Sequence, residues 1–113
     1  MTELYQNTIG TISIDEKSSD LSIEIGHNAT KYSWPCFWAL RRQINLIDIK
    51  SKLLSSDRAN DIEIITPCGV MKAYVFTIIE LIEFKDLLNG TKVMLDLYSI
   101  IHQATKTEHL VSI

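Results

Sequence analysis

The pattern that most limits the fold is a strand, a tight turn, a second strand and a helix start, which follow one another between residues 61 and 80. Positions 62–65 are rich in isoleucine, which favours strands, and Pro67 and Gly69 supply turn-forming residues directly after them. Residues 70–76 carry apolar side chains on both faces of an extended chain, so they predict an inner strand of a sheet. A hairpin followed by a helix is therefore predicted here.

The helix start is a capping box at Thr77 and Glu80, in which each side chain bonds the backbone N–H of the other residue. Asn89 and Gly90 form the pair that most readily adopts the left-handed conformation found at helix ends. The sequence therefore predicts one helix that ends at Asn89–Gly90 and a second helix over residues 91–103.

The predicted second helix is apolar around most of its circumference. Its polar residues form one narrow stripe of Lys92, Asp96, Ser99 and Gln103. Since a surface helix of a small domain buries only part of its circumference, this helix needs cover on a second side, either from the N-terminal half or from a second copy of the protein. We predict a homodimer through this helix. The predicted interface residues are Met94, Leu97, Tyr98 and Ile101.

The N-terminal half predicts another hairpin. Residues 8–14 and 20–25 alternate apolar and polar side chains, as half-buried strands do, and residues 15–19 form a polar loop of hairpin length. A turn is predicted over residues 26–30. Ser33 followed by Pro35 then predicts a helix start, because serine caps helices and proline suits their first turn.

Residues 34–54 fit two interpretations. The favoured one is a long helix with a bend, because apolar residues recur at helical spacing through the whole segment. The alternative is a helix to about Gln43, a break near Asn45 and a short second helix capped by Asp48. At the C-terminus, residues 104–113 are expected to be a flexible tail unless their apolar residues add a strand to a sheet edge.

These elements together predict an α+β fold in a single domain that spans residues 1–113. The predicted order is β-β-α-(α)-β-β-α-α, with an antiparallel sheet of about four strands made from two hairpins and with helices packed on one face. A chain of this length suffices for one hydrophobic core but not for two.

The composition argues against several classes of partner. The formal net charge of −3 makes a nucleic-acid partner unlikely, because proteins that bind the phosphate backbone gain affinity from an excess of Lys and Arg. No run of residues approaches the roughly 20 apolar residues that cross a membrane, and the first seven residues lack the features of a signal peptide. We therefore expect a cytoplasmic protein with no membrane partner.

No residue pattern predicts a catalytic group, a metal site or a cofactor. The three histidines and two cysteines lack the close spacings of metal sites, and the four glycines are isolated rather than grouped into a phosphate-binding loop. Cys36 lies at a predicted helix start, a position that activates thiols, so it is the best candidate for a thiol-based enzyme or redox protein. A simpler interpretation of Cys36 and Cys68 is that both are small buried residues in a reducing compartment.

A second functional hypothesis is a small-ligand or anion-binding domain whose pocket lies between the sheet and the helices. Arginine beside aromatic side chains binds anions and stacks on planar ligands. The predicted lining residues are Trp34, Trp38, Arg41, Arg42 and Tyr74.

The function that the sequence favours is that of a small, non-enzymatic protein that forms a homodimer and acts as an interaction or regulatory module. The ligand-binding domain is the alternative, and a thiol enzyme that uses Cys36 is the weakest of the three hypotheses. A further protein partner is compatible with the favoured function.

Overall fold

The structure, a computed structural model, describes residues 1–54, 62–66 and 73–111, with side chains as far as Ile101. The strands in this part of the chain are β1 Thr2–Gln6, β2 Gly10–Ile14, β3 Leu21–Ile25, β4 Asn28–Tyr32, β5 Ile62–Ile65 and β6 Tyr74–Thr77. The helices are α1 Trp34–Asn45, α2 Ile49–Leu54 and α3 Ile78–Val111. The α+β class is confirmed.

Strands β1 to β4 form a four-stranded antiparallel sheet in which each strand pairs with the next along the chain. The predicted β2–β3 hairpin is present, but two strands of this sheet were missed. One is β1, and the other is β4, where a five-residue turn was predicted. The actual turn needs two residues, Gly26 and His27, because Gly26 adopts a φ of +62° as tight hairpin turns require. The residues after it are therefore free to pair with β3.

The predicted second hairpin exists as β5 and β6, which form a separate two-stranded sheet. Its inward face contributes Ile65 and Phe76 to the core, whereas Ile64 and Val75 on its outer face are 63% and 60% exposed. The interpretation of residues 70–76 as an inner strand is therefore wrong for the described part, β6. The predicted turn residues Pro67 and Gly69 and the start of that segment lie outside the described residues.

Helix α1 starts as predicted, since the Ser33 hydroxyl accepts a hydrogen bond from the Cys36 backbone N–H at 3.4 Å. The favoured long helix over residues 34–54 is wrong. The chain turns after Asn45, and the Asp48 carboxylate accepts a hydrogen bond from the Ser51 N–H at 3.0 Å to cap α2. The local cap outweighs helical periodicity here, because Asp48 satisfies backbone donors at a helix start.

Helix α3 begins with the predicted capping box. The Thr77 N–H donates to Glu80 Oε1 at 3.0 Å, and the Glu80 N–H donates to Thr77 Oγ1 at 3.2 Å. The predicted helix end at Asn89–Gly90 is wrong, because α3 continues without interruption to Val111. Its C-terminal part is helical where an added strand was the alternative prediction for residues 104–113.

Asn89 and Gly90 serve packing in the middle of α3. A Cβ atom on Gly90 would lie 2.5 Å from the Tyr5 ring, so β1 approaches the helix at a place where glycine leaves room for it. The Asn89 side-chain oxygen accepts a hydrogen bond from Arg41 Nε at 2.9 Å, and the Asn89 side-chain nitrogen donates one to Asn45 Oδ1 at 3.1 Å. These two bonds tie the end of α1 to the middle of α3.

The core lies between the four-stranded sheet and helices α1 and α3. The aromatic rings of Tyr74, Phe76 and Phe84 pack against one another with centroids 4.7–5.5 Å apart and extend the core to the second sheet. Its largest fully buried side chains are Tyr32, Phe37, Phe84, Ile12, Leu21, Ile23, Leu40, Ile44, Ile65, Leu81, Leu87 and Leu88.

Candidate interaction surface

Helix α3 extends well beyond the core. Its 34 residues span about 51 Å at 1.5 Å per residue, and the molecule measures 65 × 28 × 23 Å. The radius of gyration is 16.8 Å, whereas a compact domain of this length has about 13 Å. Leu95 is the last buried side chain that the structure describes on α3, and the side chains from 96 to 101 are all exposed. Residues 96–101, which we call the distal part of the helix, therefore project into solvent.

The exposed part of α3 is apolar on one broad side. On the other side, Lys92 and Asp96 lie one turn apart and form an ion pair of 2.6 Å. Six apolar side chains, each 39–63% exposed, make up the broad side, which we call the α3 apolar surface: Val93, Met94, Leu97, Tyr98, Ile100 and Ile101. All four residues that the sequence predicts for a dimer interface belong to this set.

Strand β1 turns part of this surface into a groove. A cavity of about 240 Å³ lies between the start of β1 and the distal half of α3. Its lining residues are Thr2, Glu3, Leu4, Met94, Leu97, Tyr98 and Ile101, and we call it the β1–α3 groove. The structure therefore brings Met94, Leu97, Tyr98 and Ile101 together along one wall and adds an opposite wall from the N-terminus.

Hydrogen bonds hold β1 beside α3. The Tyr5 hydroxyl donates to Asp86 at 2.9 Å, and the Asn7 amide donates to the Glu83 carbonyl at 2.7 Å. The bond to Asp86, and secondarily desolvation, raise the pKa of Tyr5 above its ordinary value. These contacts fix the position of β1 next to Gly90, so the groove has a defined width.

The contribution of β1 to the groove was missed because residues 2–6 show no regular alternation. The pairing with β2 shifts between Glu3 and Tyr5, so that Leu4 and Tyr5 both reach toward α3. One local signal was available. Asn7 precedes Gly10 by three residues and accepts hydrogen bonds from the Ile9 and Gly10 backbone N–H groups, as asparagine does in tight turns.

The residues predicted to bind a small ligand are only partly brought together. Trp38 and Arg42 line an open depression of about 460 Å³ with Ala39, Gln43 and Leu46. The Trp34 ring lies 6.2 Å from the Trp38 ring, at the side of this depression. Arg41 donates a hydrogen bond to Asn89 instead, and Tyr74 is partly buried and packs against the core. The space between sheet and helices, where the pocket was predicted, is filled by core side chains.

Tyr74 is engaged by another tyrosine. Its hydroxyl lies 2.8 Å from the hydroxyl of Tyr32, which is buried. Burial, and then the hydrogen bond to Tyr74, raise the pKa of Tyr32 well above its ordinary value. The pair therefore links β4 to β6 and favours the neutral form of Tyr32.

The raised pKa of Tyr32 predicts a loss of stability in alkali. A group whose pKa is higher in the folded state contributes fully below its unfolded pKa, about 10 for tyrosine, and the contribution is lost as the pH rises above that value. We expect the free energy of unfolding of wild type, measured with urea, to fall between about pH 9 and pH 12. Tyr32→Phe should show a shallower decline, and a decline as steep as that of wild type would contradict this assignment.

Cys36 is not a free thiol. It is partly buried in the first turn of α1, packs against the core and is part of a disulfide. No free cysteine occurs among the described residues, and Cys68 lies outside them. The interpretation of Cys36 as an unmodified small residue is therefore wrong. The hypothesis of a thiol-based enzyme or redox protein that uses Cys36 stays a prediction, and it requires the reduced form, because the thiolate is the nucleophile.

We expect iodoacetamide to leave Cys36 unlabelled in the denatured protein when reductant is omitted, and to label it after reduction. Mass spectrometry of the unreduced digest should find the peptide that contains Cys36 only in a disulfide-linked form. Two labels without reductant would contradict the disulfide.

The described residues hold no group of three His, Cys, Asp or Glu side chains that is arranged to bind a metal ion. None of the described helices combines the length and the apolar character of a membrane-spanning segment.

The chain matches no protein-family model, no curated protein and no solved structure. The proposal for its function therefore rests on its own surfaces, and chiefly on the six exposed side chains of the α3 apolar surface.

Proposed function

We propose that the protein is a non-enzymatic, homodimeric interaction module that self-associates through the α3 apolar surface. The observation that carries this proposal is the set of six exposed apolar side chains on a helix that projects from the core. In proteins most of the stability of a helix comes from packing of its apolar face rather than from helix propensity. The distal part of α3 therefore gains stability when a partner covers it.

The area of the surface suits a dimer. If each of the six side chains exposes about half of the roughly 200 Å² that a large apolar residue presents, the surface measures on the order of 600 Å². The largest apolar patch of a typical monomer is about 300–600 Å², and a stable interface covers about 800 Å² on each partner. The α3 apolar surface is thus at the upper limit for a monomer, and polar residues at its rim supply the remainder of an interface.

The charges also permit a second copy as the partner. The six side chains include no charged group, and Lys92 and Asp96 neutralise each other on another side of the helix. Two copies that meet through this surface therefore bring no like charges into contact at its centre. Regulatory action through such a dimer is part of the proposal.

Light scattering of the wild-type protein across about 1–100 µM tests the proposal. A dissociation constant in the micromolar range, which corresponds to about −8 kcal/mol, would produce a change from monomer to dimer within this range. We expect a mass of two chains at the upper end of this range. A mass of one chain at every concentration would refute self-association.

A second candidate function is the binding of a small anionic ligand at Trp38 and Arg42. It is supported by the depression of about 460 Å³ that these residues share, a volume within the range of about 300–1,000 Å³ for ligand sites. Saturable quenching of tryptophan fluorescence by nucleotides or organic acids, lost in Arg42→Ala, would support it. Absence of any saturable change would count against it.

The cytoplasmic location expected from the sequence stays a prediction. The disulfide at Cys36 argues against it, because disulfides are rare in reducing compartments. Trapping of free thiols in intact cells before lysis, followed by mass spectrometry, measures the state of Cys36 directly. A cytoplasmic protein should carry the label at Cys36.

A further inference from the structure

We propose that the two α3 helices of the dimer run parallel, with an apolar ridge of each copy seated in the β1–α3 groove of the other. This inference rests on the proposed function and specifies how the second copy binds. The ridge consists of Val93, Leu97 and Ile100, which are 57%, 46% and 61% exposed. Their spacing of four and three residues places them in one line along the helix.

The dimensions of the groove suit side chains of a helix better than a free ligand. Its volume of about 240 Å³ is below the roughly 300 Å³ at which ligand pockets begin. Along α3 the groove extends from Met94 to Ile101, which is about 10 Å or two helical turns. A helix binds such a groove with apolar residues at i, i+4 and i+7, and the ridge provides this spacing.

The direction of the helices follows from the positions of ridge and groove. At 3.6 residues per turn, the ridge and the groove lie side by side around α3, and Leu97 forms the border between them. A two-fold axis along the helices brings each ridge opposite the groove of the other copy. An axis across the helices would instead place ridge against ridge and groove against groove, which leaves both grooves unfilled.

Residues of the α3 wall of the groove have the spacing of a parallel pair. Met94, Leu97 and Ile101 are separated by three and four residues, as positions a, d and a of a coiled coil are. Isoleucine at a and leucine at d favour two-stranded parallel pairing. The pairing starts beyond Gly90, because the Tyr5 ring occupies the surface of α3 at that level.

Cysteine cross-linking tests the arrangement. The variants are Met94→Cys, Leu97→Cys and Ile101→Cys, with Ser99→Cys on the polar side of α3 as the control. All four positions are exposed, so the substitutions leave the core intact. Disulfides form between Cα atoms less than about 7 Å apart. We expect each of the first three variants to form a covalent dimer under mild oxidation and the Ser99→Cys control to remain uncross-linked.

Hydrogen exchange of the wild-type protein provides a second readout that needs no substitution. We expect the backbone amides of Thr2, Glu3 and Leu4, which line the groove, to exchange more slowly at high protein concentration. Failure of the inference differs from failure of the proposed function. A dimer that cross-links at a single one of the three positions, cross-links at residue 99, or leaves these amides unprotected overturns the parallel arrangement alone. A protein that stays monomeric overturns both.

Discussion

The variant Leu97→Asp/Ile101→Asp is expected to be a folded monomer. Both side chains are exposed in the single chain, 46% and 63% respectively, so aspartate at these positions faces water and costs the monomer little. In the proposed dimer the same positions lie at the centre of the interface, where unpaired carboxylates must lose their hydration. Truncation of hot-spot residues, which cluster near interface centres, costs about 2 kcal/mol or more. The dimer would bury four such carboxylates, two from each copy, so we expect it to weaken by at least about 100-fold.

A matched control is available on another surface. Leu46→Asp/Leu54→Asp introduces the same two charges at leucines that are 76% and 77% exposed. Leu46 directly follows α1 and Leu54 ends α2, so neither belongs to the α3 apolar surface. We expect this control to keep the mass of the wild-type protein in light scattering, and both variants to keep its circular dichroism spectrum. An unchanged mass for Leu97→Asp/Ile101→Asp, or equal dissociation of the control, would show that self-association does not depend on α3.

The sequence was sufficient to identify the α3 apolar surface, because the evidence for it is local. A helix that is polar on one narrow stripe reveals the excess of apolar residues by spacing alone. The starts of the helices could also be predicted from the sequence. Ser33, Asp48 and the capping box at Thr77 all make the hydrogen bonds that their positions imply. Such signals depend on residues within one turn of one another, so a single sequence contains them completely.

Features that depend on contacts between residues far apart in the sequence could not be predicted. Arg41 is drawn away from the predicted ligand site by Asn89, which lies 48 positions further along the chain. The groove needs β1, whose irregular pairing hides its apolar side. In the same way, the uncovered face of β6 follows from its isolation in a two-stranded sheet, which residue alternation does not reveal. Tertiary contacts override local pattern at these positions.

The Asn89–Gly90 pair is the clearest example, and it yields a quantitative test. By itself the pair is a good helix end, yet α3 continues through it because the Tyr5 ring fills the space where other residues have a Cβ atom. Gly90→Ala should raise helix propensity by about 1 kcal/mol. The new methyl group would lie 2.5–2.8 Å from the Tyr5 ring, so the ring must move. We expect a net loss of stability of up to about 2 kcal/mol, because overpacking typically costs about 1–3 kcal/mol and the gain in helix propensity offsets about 1 kcal/mol of this cost.

In a Tyr5→Ala background the sign of the effect should reverse. Without the ring, Gly90→Ala meets no obstacle and should stabilise the protein by about 1 kcal/mol through helix propensity alone. Tyr5→Phe is the matched control, because it removes the hydrogen bond to Asp86 but keeps the ring. Gly90→Ala should therefore remain destabilising in the Tyr5→Phe background. Urea unfolding of the six proteins measures all three differences as a double-mutant cycle.

The reversal shows whether the Tyr5 ring is the reason that glycine is required at position 90. If Gly90 is required because β1 approaches α3 closely, the cost of Ala at this position must depend on the Tyr5 ring. If Gly90→Ala stabilises the wild-type protein as it does the Tyr5→Ala variant, the ring does not occupy the surface of α3 at this level. The position of β1 would then no longer be fixed, and the groove that the partner helix is proposed to fill would lose its second wall.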